Sequence, residues 1–355
     1  MIIPEKCEQA ITIILGARKV LVVHHWDADG VASAALLARR LGGRLVGTDV
    51  PRIGVYTAEA VPEPPRDALL AVLDYGIPGQ EYDKLVERTN TPIAVVDHHA
   101  VEPPRRLSTY CNPVALKKGS ERDYPGNSLL VYKLLGEPRD TGDRFLAALG
   151  VVGDLEAFLK AGREHPGLAL AEELLKETNV SLEEAGRLAR SIDSCYRLLD
   201  YSCLRYAVRR LAEDPLGALN DRVLGEALAK AEKIVEKALG SLEKLYKDEA
   251  IAVYWLSLDA YVTSAIGRRL AAENPDKVMV LAHYMPREKR GYVYIRSVSK
   301  ELVGLARFLR ERGVKPGGKT NVVVVEFSNK DQAEEIINAI TSYLRGDTKI
   351  NRVTS

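Results

Sequence analysis

Lys19-Val20-Leu21-Val22-Val23-His24-His25-Trp26-Asp27-Ala28-Asp29-Gly30 runs from continuous apolar residues straight into histidine and aspartate. An unbroken apolar run of this length predicts a strand buried on both faces. Small and apolar residues then recur at helical spacing from Gly30 to Leu41. The same passage returns at Pro92-Ile93-Ala94-Val95-Val96-Asp97-His98-His99. Between them, Arg44 to Val50 and Ala68 to Asp74 read as further strands, with a helix over 79–88. Apolar strands alternating with helices predict an α/β unit built on a parallel sheet.

Helical patterns follow at 127–135 and 142–152, ending at Val151-Val152-Gly153-Asp154. Residues 155–246 read as almost wholly helical, most clearly over Ser181 to Arg197 and Asp221 to Tyr246. Strand patterns return at Ala250 to Leu256, Lys277 to His283, Gly291 to Ser297 and Asn321 to Phe327. Helices are expected over Asp259 to Glu273, Ser299 to Gly313 and Lys330 to Arg345. The fold class is therefore α/β in two lobes. Residues 1–160 form a parallel-sheet domain, 161–247 a helical connector, and 248–347 a smaller α/β domain.

The 355 residues are too many for one ordinary core. A net charge of +1 gives no sign of a polyanion partner, although a local patch can steer one unseen in the sum. No apolar run reaches the length of a membrane span, and the first residues lack a signal-peptide pattern. Cys7, Cys111, Cys195 and Cys203 show no Cys-x-x-Cys spacing, so neither a zinc site nor a disulfide framework is expected. A cytoplasmic location is the resulting expectation.

Four of the six histidines lie in the two opening runs. Asp27 and Asp29 follow the first strand, Asp74 ends the third, and Asp97, His98 and His99 end the fourth. Ligands of an open parallel sheet bind outside the carboxyl ends of its strands. These groups are expected to meet in one crevice, with Asp154 joining from a helix. Singly, each has a plain reading as a turn residue, a helix cap or a core histidine. Together they would repel one another without a cation. Mixed carboxylate and imidazole donors suit two divalent ions, Mn²⁺ first and Mg²⁺ as the alternative.

These motifs resemble the DHH phosphoesterase superfamily. Asp97-His98-His99 is similar to its signature, His25-x-Asp27-x-Asp29-Gly30 to its first motif, Leu73-Asp74-Tyr75-Gly76-Ile77 to its second, and Gly150-x-x-Gly153-Asp154 to its fourth. Asn112-Pro113 and Gly126-Asn127-Ser128 resemble the RecJ-type members. The resemblance implies one ion on His25, Asp27 and Asp74, and a second on Asp29, Asp74, His98 and Asp154. It implies that His99 contacts the scissile phosphate, that Asp97 orients a histidine, and that water is the nucleophile.

The C-terminal part resembles the DHH-associated substrate-binding domain. Arg296 and Ser297 match its Arg-Ser strand, and Lys315-Pro316-Gly317-Gly318-Lys319 its glycine-rich loop. Lys319 stands where the family carries histidine, which puts terminal-phosphate recognition in question. The implied activity is hydrolysis of single-stranded DNA or RNA or short oligonucleotides from an end. The alternatives are a cyclic-dinucleotide or 3′-phosphonucleotide phosphodiesterase and, in another class, a non-catalytic replication or repair scaffold. A replication or repair protein partner is compatible with either class, and no membrane partner is expected.

Overall fold

The computed structural model describes residues 2–346, apart from the Lys319 side chain; the last residue of the expected 248–347 domain lies outside that range. The chain forms two compact units, residues 1–229 and 230–355. In the first, α1 (Glu5–Gly16) precedes β1 (Val20–His24), α2 (Ala28–Leu41), β2 (Leu45–Asp49), β3 (Leu69–Leu73), α3 (Gly79–Arg88), β4 (Ile93–Val96) and β5 (Tyr110–Cys111). Every pairing in this sheet is parallel, in the order β2-β1-β3-β4-β5. β3 and β4 are buried at every residue, as their unbroken apolar runs require. The strand order reverses between β1 and β3, which opens a crevice at their carboxyl ends.

Helices α4 (Asn127–Leu134), α5 (Thr141–Asp154), α6 (Glu156–Lys160), α7 (Pro166–Leu175), α8 (Leu182–Arg197) and α9 (Tyr201–Glu213) follow. Asp27 caps α2 by accepting a hydrogen bond from Gly30 N–H at 3.1 Å. α2 is apolar nearly all round because α4, α5, α8 and α9 enclose it against the sheet. Of the segment expected as a connector, α7, α8 and α9 therefore belong to the first unit, packed on α5 and α2. The unit boundary falls inside α10 (Arg222–Gly240).

The second unit holds β6 (Glu243–Lys247), β7 (Ile251–Ser257), α11 (Thr263–Glu273), β8 (Val278–Met285), β9 (Arg290–Arg296), α12 (Val303–Arg310), β10 (Gly317–Lys319), β11 (Val322–Phe327) and α13 (Lys330–Arg345). Its sheet runs β10-β11-β9-β8-β7-β6, antiparallel except for β7 with β8. Alternate residues serve opposite faces: Val278, Val280 and Ala282 join α12 and α13, while Met279 and Leu281 join α11.

Two local expectations are corrected, and one segment left unassigned by the sequence gains a helix. The helix predicted over Asp221 to Tyr246 stops at Gly240, and Glu243–Lys247 becomes an edge strand on β7. Glu, Lys and Tyr suit either state, and the open edge of β7 decides between them. The segment before β1 is a helix whose buried Cys7, Ala10, Ile11 and Ile14 follow helical spacing. The cysteines are bonded in two pairs: Cys7–Cys111 ties α1 to β5, and Cys195–Cys203 ties α8 to α9. Spacing hid both pairs because the fold, not the local sequence, brings the partners together. The reduced-thiol ground for a cytoplasmic location falls with them. No helix among the described residues is long and apolar enough to cross a membrane.

Thiol titration of the unreduced, denatured protein should find none of the four cysteines reactive. The Cys7–Cys111 bond spans 104 residues of sequence, so Cys7→Ser should lower unfolding stability by about 4 kcal/mol in urea titration. Reductant should bring the wild type down at least as far. A full complement of free thiols, or a reductant-insensitive midpoint, would contradict the pairing.

Candidate metal centre

The parallel ladder runs one residue past the ends of its strands. His25 N–H donates to Leu73 O (3.0 Å), Asp74 N–H to Val96 O (2.9 Å) and Asp97 N–H to Cys111 O (2.8 Å). Three motif residues are thereby set in a row across the carboxyl edge. Asp74 adopts a φ of 60° there, a left-handed conformation that non-glycine residues seldom take.

Around this row, His98 Nε2 lies 3.2 Å from Asp74 Oδ1, 3.4 Å from Asp154 Oδ2 and 3.7 Å from Asp29 Oδ2. The other ring nitrogen of His98 is 2.8 Å from Tyr124 O, which fixes the ring and turns Nε2 toward the carboxylates, where it could meet a cation. His25 Nδ1 lies 2.6 Å from Asp27 Oδ2. His25 Nδ1, Asp74 Oδ1 and His98 Nε2 are all buried, and none is aligned in a hydrogen bond. Donor atoms that converge without bonding one another form a cradle for a cation. Among the described residues, three sets satisfy this geometry: His25, Asp27 and Asp74; Asp29, His98 and Asp154; and Asp74, His98 and His99.

Asp97 is arranged differently. Its Oδ1 accepts from His98 N–H (2.6 Å), His99 N–H (3.1 Å) and His99 Nδ1 (2.8 Å), and its Oδ2 from Gly76 N–H (2.9 Å). With its oxygens so occupied, Asp97 orients the two histidines. Burial would raise its carboxyl, but His99 and His98 outweigh burial and hold it down to about 2. Asp29 accepts from Asn127 N–H (2.5 Å) and Ser128 N–H (2.9 Å), at the N-terminus of α4, where backbone donors favour an anion. Asp74 has no such support. Burial and the Asp29 carboxylate push it well above the usual carboxylate range. Burial opposes protonation of His98, but the adjacent Asp74 carboxylate, with Asp154 and Asp29 near it, outweighs burial and raises the imidazole.

Two motif glycines are there for close approach. A Cβ on Gly150 would lie 2.0 Å from Asp29 Oδ1 and 2.2 Å from Ser128 Oγ. A Cβ on Gly30 would lie 2.3 Å from the His25 carbonyl oxygen.

Sequence reading missed several supports. Asp193, on α8, accepts from Ala28 N–H at 3.0 Å, and burial pushes its carboxyl up to about 7. The Tyr124 carbonyl and the amides of Asn127 and Ser128 carry no side-chain signature at all. His24 is a core histidine, with Nδ1 2.6 Å from His25 O and burial pushing it down to about 4.

The residues expected to bind substrate lie in the second unit. Register places Arg296 on β9 and Lys319 on β10 opposite the same residue, Val322 of β11. Ser297 is buried, and its Oγ accepts from Lys300 N–H at 3.1 Å. Gly317 and Gly318 form an edge strand where a loop was expected. Gly318 has a φ of +126°, and a Cβ there would meet Val322 O at 2.1 Å.

Gly150→Ala should displace Asp29 and Ser128 at a cost of about 1–3 kcal/mol, and should weaken the thermal shift produced by Mn²⁺. A protonated ligand cannot bind metal. With Asp74 and His98 both raised, Mn²⁺ affinity should fall as pH drops, starting above the ordinary imidazole value of about 6.5. Calorimetry showing pH-independent affinity between about pH 6 and 9 would contradict that assignment.

Comparison with known proteins bears on the fold and on the family. No curated protein matches the chain. The fold resembles RecJ in complex with Mn²⁺ from Thermus thermophilus, at 19% identity and a TM-score of 0.64, covering 98% of this chain and 56% of that one. It resembles exonuclease RecJ bound to manganese at 18% identity and a TM-score of 0.63, covering 99% and 96%. A pGpG-specific phosphodiesterase, PggH from Vibrio cholerae, has 13% identity and a TM-score of 0.50, with 93% and 100% covered. The family model "DHH family, N-terminal domain" matches residues 19–153, which hold every candidate metal-site residue described above except Asp154. Over residues 19–153 this chain is similar to the N-terminal domain of the DHH family.

Proposed function

We propose that this protein is a metal-dependent phosphodiesterase that shortens single-stranded nucleic acid or short oligonucleotides from an end. One observation supports this above all: buried donor atoms on His25, Asp74 and His98 converge without hydrogen-bonding one another. His25, Asp27 and Asp74 would hold one Mn²⁺, and Asp29, Asp74, His98 and Asp154 a second, with Mg²⁺ as the alternative ion. Bound there, a pair of divalent ions supplies an activated water and neutralises charge on a phosphoryl oxygen.

The chain's own groups account for the rest. Asp97 holds the His99 ring through Nδ1, so its Nε2 remains for a phosphoryl oxygen. The side chain of His99 is more than a third exposed, in contrast with buried His98, so substrate has access to it. In the second unit, Arg296, Ser297, Gly317, Gly318 and Lys319 would bind a phosphate of the strand, with Arg296 offering a forked cation. A replication or repair protein is the partner class proposed.

PggH is described as pGpG-specific, and a dinucleotide is the limiting short oligonucleotide. That description favours keeping dinucleotides, linear or cyclic, as the second substrate reading. End-labelled DNA and RNA strands, linear dinucleotides and cyclic di-AMP should be assayed together with Mn²⁺. Hydrolysis is expected for at least the linear substrates, with chelator abolishing it. Asp97→Ala and His98→Ala should each lower it at least about a hundredfold. A metal-loaded wild type that cuts none of these would end the enzyme reading and leave a non-catalytic scaffold.

A further inference from the structure

We propose that Tyr56 is a nucleobase-stacking platform, selecting substrates that carry a base beside the phosphate to be cut. The proposal rests on the phosphodiesterase reading and adds a subsite to it. Tyr56 lies on the loop between β2 and β3 and is 46% exposed. Its hydroxyl is 3.3 Å from His25 Nε2, so the ring stands immediately beside the cluster.

Its surroundings are built rather than incidental. Buried Tyr75 stacks under it, with ring centres 5.9 Å apart and planes 14° from parallel. Buried Trp26 meets it edge-on at 5.2 Å and 62°. Both supports sit inside the motifs that carry the candidate metal-site aspartates, yet neither belongs to a candidate ligand set. The backbone is held as well. Tyr75 Oη donates to Val55 O at 2.5 Å and lies 3.4 Å from Thr57 O, the carbonyls flanking Tyr56. Ile53 N–H donates to Tyr201 Oη (3.1 Å) and Ala58 N–H to Glu81 Oε2 (3.0 Å).

A half-exposed aromatic on an unrestrained loop would be ordinary. This one is pre-ordered, so it surrenders little conformational freedom when a flat partner arrives. Stacking is tolerant of base identity, because every base has a π face. The subsite therefore selects for the presence of a base and not for its sequence.

The test compares kcat/KM for a dinucleotide and for its abasic counterpart in wild type, Tyr56→Phe and Tyr56→Ala. The ratio of the two constants is the readout, since damage to His25 would lower both together. Wild type should prefer the base-bearing substrate. Tyr56→Ala should narrow that preference about tenfold, toward the lower end of what a stacked base contributes. Tyr56→Phe, which keeps the ring, should retain it. Equal losses on both substrates in Tyr56→Ala would overturn the platform and leave Tyr56 as a support for His25. If wild type cuts neither substrate, the phosphodiesterase reading stands or falls on the end-labelled strands and cyclic di-AMP assayed above, and equilibrium binding of a nucleoside monophosphate against ribose 5-phosphate decides the platform. A preference erased in Tyr56→Ala then upholds it, and equal affinities overturn it.

Discussion

Three main-chain hydrogen bonds, from the amides of His25, Asp74 and Asp97 to the last carbonyls of neighbouring strands, carry the rest of the site. Parallel strands exchange evenly spaced, slanted bonds, so a ladder can continue past the point where side chains turn polar. Each added bond seats one motif residue beside the next. Asp74 pays for its place with a left-handed backbone, a strain of about 1–2 kcal/mol that the surrounding ladder sustains. The strand order puts this row at the reversal between β1 and β3, where α/β sheets leave room for a ligand.

Electrostatics then sort the carboxylates into two kinds. Asp97 and Asp29 are satisfied by the protein: four donors meet the first, and the start of α4 meets the second. Asp97 holds the two histidines in place, and Asp29 is itself held where it faces His98. Asp74 is left with a buried oxygen that no donor meets, facing His98 Nε2, which is equally unmet. Buried charge in that condition calls for an outside cation. The contrast sets Asp97, ringed by donors, apart as a positioning residue, while Asp29 stays in a candidate ligand set with its carboxylate supported by α4.

Much of this was legible beforehand. The strands β1, β3 and β4 announce themselves because burial on both faces requires unbroken apolar runs, and the polar residues that end them mark the carboxyl edge. Asp27, Asp29, Asp74, His98 and Asp154 could be named for the same reason: each lies at the end of an element. The site's supports were not legible. Backbone amides at Asn127 and Ser128 and the carbonyl of Tyr124 have no side-chain signature. Asp193 lies far along the chain on an ordinary amphipathic helix. Tyr56 has no pattern to mark it, since its meaning depends on Tyr75 beneath it and His25 beside it.

The sequence by itself determined the parallel α/β unit, the polar residues at its strand ends and the second α/β unit, because periodicity and burial are local properties of a chain. Only the tertiary structure decided the rest. It joined Cys7 to Cys111 and Cys195 to Cys203, placed α7 to α9 on the first unit, turned Glu243–Lys247 into an edge strand and made Gly317–Lys319 a strand. It also chose which carboxylates are satisfied and which are left for a cation. Some partners are distant in sequence, as Cys7 and Cys111 are, and others are near, as Lys319 and Val322 are, but every one of these outcomes is decided by what the segment packs against, which no residue pattern records.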